Sequence, residues 1–321
     1  MAAALADRLA EPEVTTSVFD ARLARGAPVP WWMKIAAKLV VSRCLPAYRY
    51  RRRLGLGLHS YVAGNAGQPH AIRDDVARHV RLTGRLPRCL LELGPGDGLA
   101  NALYAAAAGV SMIWMVDVGD FASQDMRGYR QVVQQIAQDN PGFAERVDLS
   151  SRAAMLASVG ARYLTGDTSV LRTVPSDSVD LIVSYATMEH VRRHELARLL
   201  AETFRMLAPG GVARHWIDLM DHLGGRLNNL RIPPAVWEHP LLAGAGFYTN
   251  RLRCSEIVAL AQAAGFGSSV PALSRWPELP TPRRVMARQF QGFDDDELRI
   301  ASFDLVLRRR PGGATGGSPS P

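Results

Sequence analysis

The chain has 321 residues, 47% of them hydrophobic and 21% charged, which suits one large α/β domain with additions. Cys44, Cys89 and Cys254 lie far apart with no CxxC pair, which speaks against a disulfide framework or a thiolate zinc site and for a reducing cytoplasm. The formal charge of +8 is unevenly placed: between Asp20 and Asp74 there is no acid, and the ten bases there (Arg22, Arg25, Lys34, Lys38, Arg43, Arg49, Arg51, Arg52, Arg53 and Arg73) exceed the whole excess.

No run is long and apolar enough to span a bilayer, and residues 1–10 carry Asp7 and Arg8 where a signal core would be apolar. Residues 1–27 read as a weakly structured lead-in. After Pro28 and Pro30, residues 31–41 predict a helix with Lys34 and Lys38 on one face and Trp31-Trp32 at its start. Pro46 closes it, and Arg49 to Arg53 follow. This basic extension, residues 1–69, fits a helix packed on the main domain with a solvated charged edge. A second reading makes it an anchor to an anionic membrane surface, which would put the protein in the cytoplasm at the inner face of the membrane. Nucleic acid ranks last, because no binding module accompanies the basic residues. Residues 70–85, with Ile72, Val76, Val80 and Leu82, predict a helix leading into the first strand of the main domain.

Residues 89–93 are apolar, bounded by Pro87 and by glycines, and predict a buried strand. The glycines turn the chain and leave no side chain where a ligand must come close. Residues 99–108 then favour helix, so free N–H groups at a helix start would face that ligand. Asp117, nineteen residues past Gly98, ends a second apolar run, where an acid commonly grips a ribose diol. A dinucleotide fold wants G-x-G-x-x-G, but its third glycine is Leu99 here. The pattern is E-x-G-x-G-x-G, from Glu92 through Gly94, Gly96 and Gly98. An acid beside the glycines suits a cationic ligand and disfavours a pyrophosphate.

The stretch 119–160 is longer than a usual connection and holds helical pieces near 129–136 and 152–159, read as an elaboration at the pocket mouth. Residues 162–167 predict a third strand and residues 179–184 a fourth. A helix through Arg205 stops at Pro209-Gly210-Gly211, and residues 211–216 open a fifth strand. Residues 255–264 read as a helix, 301–307 as a final strand, and 311–321 as a disordered Gly/Pro/Ser tail.

Taken in order, these motifs resemble class I S-adenosylmethionine-dependent methyltransferases, over residues 88–218. The motifs are E-x-G-x-G-x-G, an acid after strand two, G-D at Gly166-Asp167, S-V-D-L-I-V-S with M-E-H-V at Met188 to Val191, and L-A-P-G-G. The last two look like the small-molecule branch, with Met188 and Ala208 as mild departures. The resemblance implies a Rossmann-like, seven-stranded, mostly parallel sheet with helices on both faces over residues 70–310, and S-adenosylmethionine as cofactor. Glu92, Gly94, Gly96 and Gly98 would form its loop and Asp117 would take the ribose. Asp167, helped by Thr168, would read the adenine.

The acceptor side carries His190 after strand four and His215, Asp218, Asp221 and His222 after strand five. If the chain turns helical there, 215, 218 and 222 share one face. They could then supply a base with an orienting carboxylate, read ahead of a divalent-metal site; no metal is assigned. The competing reading of His190 is a histidine that steadies its helix start, and of the cluster a polar loop closing the pocket. The expected activity is methyl transfer to a hydroxyl of a small-molecule or glycan-type acceptor. The alternatives are an N- or C-methyltransferase and a non-catalytic S-adenosylmethionine-binding protein.

Overall fold

A computed structural model describes residues 14–19, 29–44 and 69–309. The arginine run at 49–53 and the tail at 311–321 lie outside the described residues, and with them the membrane-anchor and disorder readings. No helix among the described residues is long and apolar enough to cross a membrane.

Eight strands form one sheet in the order β1-β7-β8-β6-β5-β2-β3-β4. They are β1 (Thr15–Val18), β2 (Cys89–Leu93), β3 (Met112–Asp117), β4 (Ala161–Thr165), β5 (Val179–Tyr185), β6 (Leu207–Asp218), β7 (Phe266–Arg275) and β8 (Ile300–Arg309). β2 to β6 pair parallel, and β8 runs antiparallel between β6 and β7. Seven strands were expected. The eighth, β1, comes from the lead-in read as weakly structured and adds in parallel to the edge strand β7. Its four side chains are exposed, so backbone pairing and not burial holds it, which leaves no apolar alternation to read. β7 was also unread: after buried Phe266 it mixes small, polar and apolar residues that are all half-buried, with no alternation.

The central parallel strands β2, β3 and β5 are buried over most of their length, which explains their largely apolar runs. On one face Leu90, Ile113, Met115, Leu181 and Val183 pack under helices α2 (Pro69–Thr83), α3 (Ala100–Ala107) and α4 (Met126–Asp139). On the other, Leu91, Trp114, Ile182 and Leu305 meet α7 (Arg193–Met206) and α10 (Cys254–Ala263), the numbering allowing for short helices α5 (Pro141–Arg146), α6 (Arg152–Ser158), α8 (Pro234–Trp237) and α9 (Pro240–Ala243). Chain order reverses between β2 and β5, and a crevice for ligand opens at the strand C-termini of such a switch point.

The excursion between β6 and α10 has its own small core of Leu223, Trp237, Phe247 and Tyr248. Helix α1 (Trp31–Cys44) closes it with Trp31, Ile35 and Leu39, one face at helical spacing. Arg231 stacks over Trp31, and Lys38 Nζ donates to the carbonyl of His222 at 2.8 Å.

Helix α2 buries Ile72 and Val76 as expected, but Val80 and Leu82 are exposed, and Asp75 and His79 turn inward instead. Asp75 belongs to a buried polar group under the sheet. Tyr185 OH donates to Asp75 Oδ2 at 2.5 Å, Arg214 NH1 donates to the same oxygen at 3.2 Å, and Arg214 NH2 donates to Asp304. Arg214 is the cation between two buried carboxylates. Arg214→Met should therefore lower the unfolding free energy by about 3–5 kcal/mol, the scale for breaking a buried charge pair from one side. Urea unfolding at neutral pH measures this, and a loss below about 1 kcal/mol would mean the two acids find other relief.

Candidate functional site

β2 exits through Gly94 and Gly96, whose φ values are 70° and 65°. At Gly94 a Cβ would lie 2.4 Å from Thr187 Oγ1, so the loop and the exit of β5 touch only because glycine stands there. At Gly96 a Cβ would meet nothing within 4 Å, so the loop borders open space. Gly98 is buried and feeds α3, which starts without a side-chain cap. Asp117 Oδ2 accepts from Gly96 N–H at 2.9 Å and its Oδ1 from Val118 N–H at 2.7 Å, tying the loop to the end of β3. Burial still raises its carboxyl above the usual range.

Glu92 is 3% exposed; its Oε1 accepts from Asn101 Nδ2 at 2.7 Å, and Oε2 has no partner among the described residues. Burial pushes its pKa up to about 8, with the Asn101 bond opposing and Asp117 and Asp75 adding to the rise. Glu92, Gly94, Gly96, Gly98 and Asp117 thus gather around the ends of β2 and β3. Asp167 and Thr168 follow β4, the next strand outward. Asp167 is exposed and accepts from Ser169 N–H at 2.8 Å, which caps the short turn Thr168–Thr173 and holds its carboxyl below the usual range.

The elaboration 119–160 packs as α4, α5 and α6 on the sheet, and its start braces the glycine loop. Ser123 N–H donates to Asp97 O at 2.9 Å, and Leu99 N–H donates to Tyr129 OH at 3.3 Å. Arg152 grips Asp120 with both terminal nitrogens, at 2.7 and 2.9 Å.

On the other side of the crevice, β5 leaves through Ala186, at φ 49° without being glycine. Such strain persists where surrounding contacts enforce it. Ala186 N–H donates to Trp216 O at 2.9 Å, and Asn250 ties down the turn that follows: its N–H donates to Glu189 O at 2.7 Å and its Nδ2 to Met188 O and Val191 O at 2.9 and 3.0 Å. His190 is exposed, and its Nδ1 stands 2.8 Å from Tyr248 O. A carbonyl only accepts, so Nδ1 carries a proton and donates it. The His222 ring lies 4.8 Å from the His190 ring, centroid to centroid. Asp218, half-buried, accepts from Met220 N–H at 2.8 Å, and burial lifts its pKa to about 6.

The expected face of His215, Asp218 and His222 does not form. β6 runs to Asp218 as a strand, so residues 215 and 218 project to opposite faces. His215 is fully buried against Ser184 Oγ at 2.8 Å, and burial with the Arg214 charge lowers its pKa to about 3. Asp221 is committed to its own loop, accepting from the N–H groups of Leu223, Arg226 and Asn228 at 3.1, 3.2 and 2.6 Å. What joins His222 is the turn Met188–His190, with Asp218 nearby.

Residues 65–267 match the methyltransferase domain family. The chain belongs to that family. Its motif order and this fold make it a class I S-adenosylmethionine-dependent methyltransferase. Solved structures similar to it include a 1,6-didemethyltoxoflavin-N1-methyltransferase from Burkholderia thailandensis (14% identity, 89% of this chain and 93% of that one, TM-score 0.43). Others are a S-adenosylmethionine-dependent methyltransferase from Mesorhizobium loti (16%, 77% and 100%, 0.41) and an arsenic(III) S-adenosylmethionine methyltransferase from Chlamydomonas reinhardtii (18%, 75% and 74%, 0.39). No curated protein matches the sequence.

Sequence reasoning about the methyltransferase passed over Glu189, although it stood in the quoted M-E-H-V stretch. It also passed over Asp75, whose charge bears on Glu92, and Tyr185, which donates to Asp75. A carboxylate next to a histidine at a strand exit was the available signal for Glu189. Asp75 had none, because an acid pair on a helix, Asp74-Asp75, reads as solvated.

Glu92 gives a test of the site's electrostatics without ligand. Its folded pKa lies above the unfolded value, so the folded state holds the proton and stability falls as pH rises from about 4.5 to about 8. Glu92→Gln keeps an acceptor for Asn101 and cannot ionise. Its stability relative to wild type should be near equal at pH ~4.5 and grow until pH ~8, as read by urea unfolding. A constant difference across that range would show that Glu92 does not titrate with folding.

Proposed function

We propose that the methyltransferase moves the methyl group of S-adenosylmethionine to a hydroxyl of a small-molecule or glycan-type acceptor. The observation that carries this reading is the pair of His190 and His222 rings, 4.8 Å apart, past the C-terminal end of β5, with Asp218 at the end of the neighbouring β6. A hydroxyl needs a proton acceptor as it becomes a nucleophile, and these groups supply one.

The residues present fit the cofactor. The unpartnered Glu92 Oε2 offers a carboxyl oxygen toward a cationic group, and the open space at Gly96 admits a ligand against backbone. Asp117 would hold the ribose, and Asp167 with Thr168 the adenine. Bound there, S-adenosylmethionine supplies an electrophilic methyl on a sulfonium. The chain's own work is placement, because in-line geometry governs the rate of such displacements. Asp218 takes the hydroxyl proton, and His190 and His222 border the acceptor. His215, in the sheet interior, positions nothing at the acceptor.

Asp117→Ala should weaken S-adenosylmethionine binding by roughly 1.5–3 kcal/mol, the scale of a charge-assisted hydrogen bond, and it also frees the Gly96 N–H. Calorimetry showing unchanged affinity would remove Asp117 from the cofactor site.

Label transfer from S-adenosylmethionine into a cell extract, with identification of the product, tests the acceptor class. A methyl on oxygen is expected; on nitrogen or carbon it would overturn the hydroxyl reading. With that product as assay, Asp218→Asn and His222→Ala should each cut turnover by ~10²-fold or more while cofactor affinity holds. Full turnover in both variants would place the chemistry elsewhere.

A further inference from the structure

We propose that Glu189, His190 and His222 bind one divalent transition-metal cation. One ligand atom from each lies within 4.8 Å of the other two. Glu189 is 1% exposed, and neither of its carboxyl oxygens has a hydrogen-bond partner among the described residues. A buried carboxyl without a hydrogen-bond partner is costly, and a cation would answer it.

The arms around it are already set. His190 Nδ1 donates to Tyr248 O at 2.8 Å, the outer bond that fixes a metal-binding imidazole and aims its Nε2. Asn250 clamps the turn that carries Glu189 and His190. Asp221 shapes the loop of His222 through three backbone N–H groups, and Lys38 holds the His222 carbonyl. These contacts place the ligands before any ion arrives.

Two imidazole nitrogens and one carboxylate oxygen suit zinc, manganese or cobalt, and not calcium, which takes six to eight oxygens. Three protein ligands leave at least one coordination position open, the arrangement of a site that also holds a further molecule. The site lies at the exits of β5 and β6, where the acceptor is placed under the proposed function. The cation itself does not depend on that reading.

The test uses the untagged full chain, stripped with a chelator and then dialysed. Titration with zinc or manganese should give one-to-one binding by calorimetry, and cobalt should develop a visible absorption band. His190→Ala, His222→Ala and Glu189→Gln should each lose affinity by more than the roughly 10–100-fold that loss of an outer partner costs. His190 is exposed, so His190→Ala serves as the variant least tied to the core, and its unfolding temperature is recorded alongside. One-to-one binding that weakens in His190→Ala with the fold intact supports the site. Absence of saturable binding by wild type, or undiminished binding in His190→Ala, overturns it. Neither readout involves methyl transfer, so failure here leaves the acceptor assay untouched, and the reverse holds.

Discussion

The bond from Gly96 N–H to Asp117 Oδ2 joins the exits of two parallel strands, and the crevice takes its shape from that join. β2 and β3 end in register, Leu93 beside Val116, so the glycine loop must fold across the end of β3. With the loop held there, Gly94 presses on Thr187, and the exit of β5 is fixed against that of β2. Thr187 in turn sets the turn Met188–His190. The glycine loop and the turn Met188–His190, far apart in sequence, are thus in mechanical contact through one side chain.

The buried charges divide by how they are satisfied. Asp75, Tyr185, Arg214 and Asp304 answer one another under the sheet, so that group is complete without a ligand. Glu92 and Glu189 are not answered in this way. Each sits at the end of a parallel strand or just past one, each is almost wholly buried, and burial raises both carboxyls. Opposite walls of the crevice therefore each hold a carboxyl that a cationic partner would ionise.

Much of the fold was legible because the central parallel strands are buried over most of their length. Residues 89–93, 112–117 and 179–185 are mostly apolar, and glycines follow the first of them where the backbone turns. The glycine loop was readable from spacing alone, since positive φ is a local demand. β1 and β7 were not, because they are held by pairing to a neighbour far away in sequence and show no alternation. The segment after β6 was half legible. His190 and His222 lie side by side, but His215 was joined to Asp218 and His222 on a helical spacing that a twelve-residue strand cancels. Glu189 was hidden for a different reason: nothing local distinguishes a buried acid from a solvated one until its neighbours are known.

The basic helix before the family domain bears on inheritance. The family match begins at residue 65, yet Lys38 and the Trp31 face of α1 brace the loop that carries His222. The glycine loop and β3 need nothing from that helix. A truncation at the family boundary would leave the glycine loop whole and take a wall from the loop that carries His222. The family domain in this protein thus leans on a helix that is not part of it.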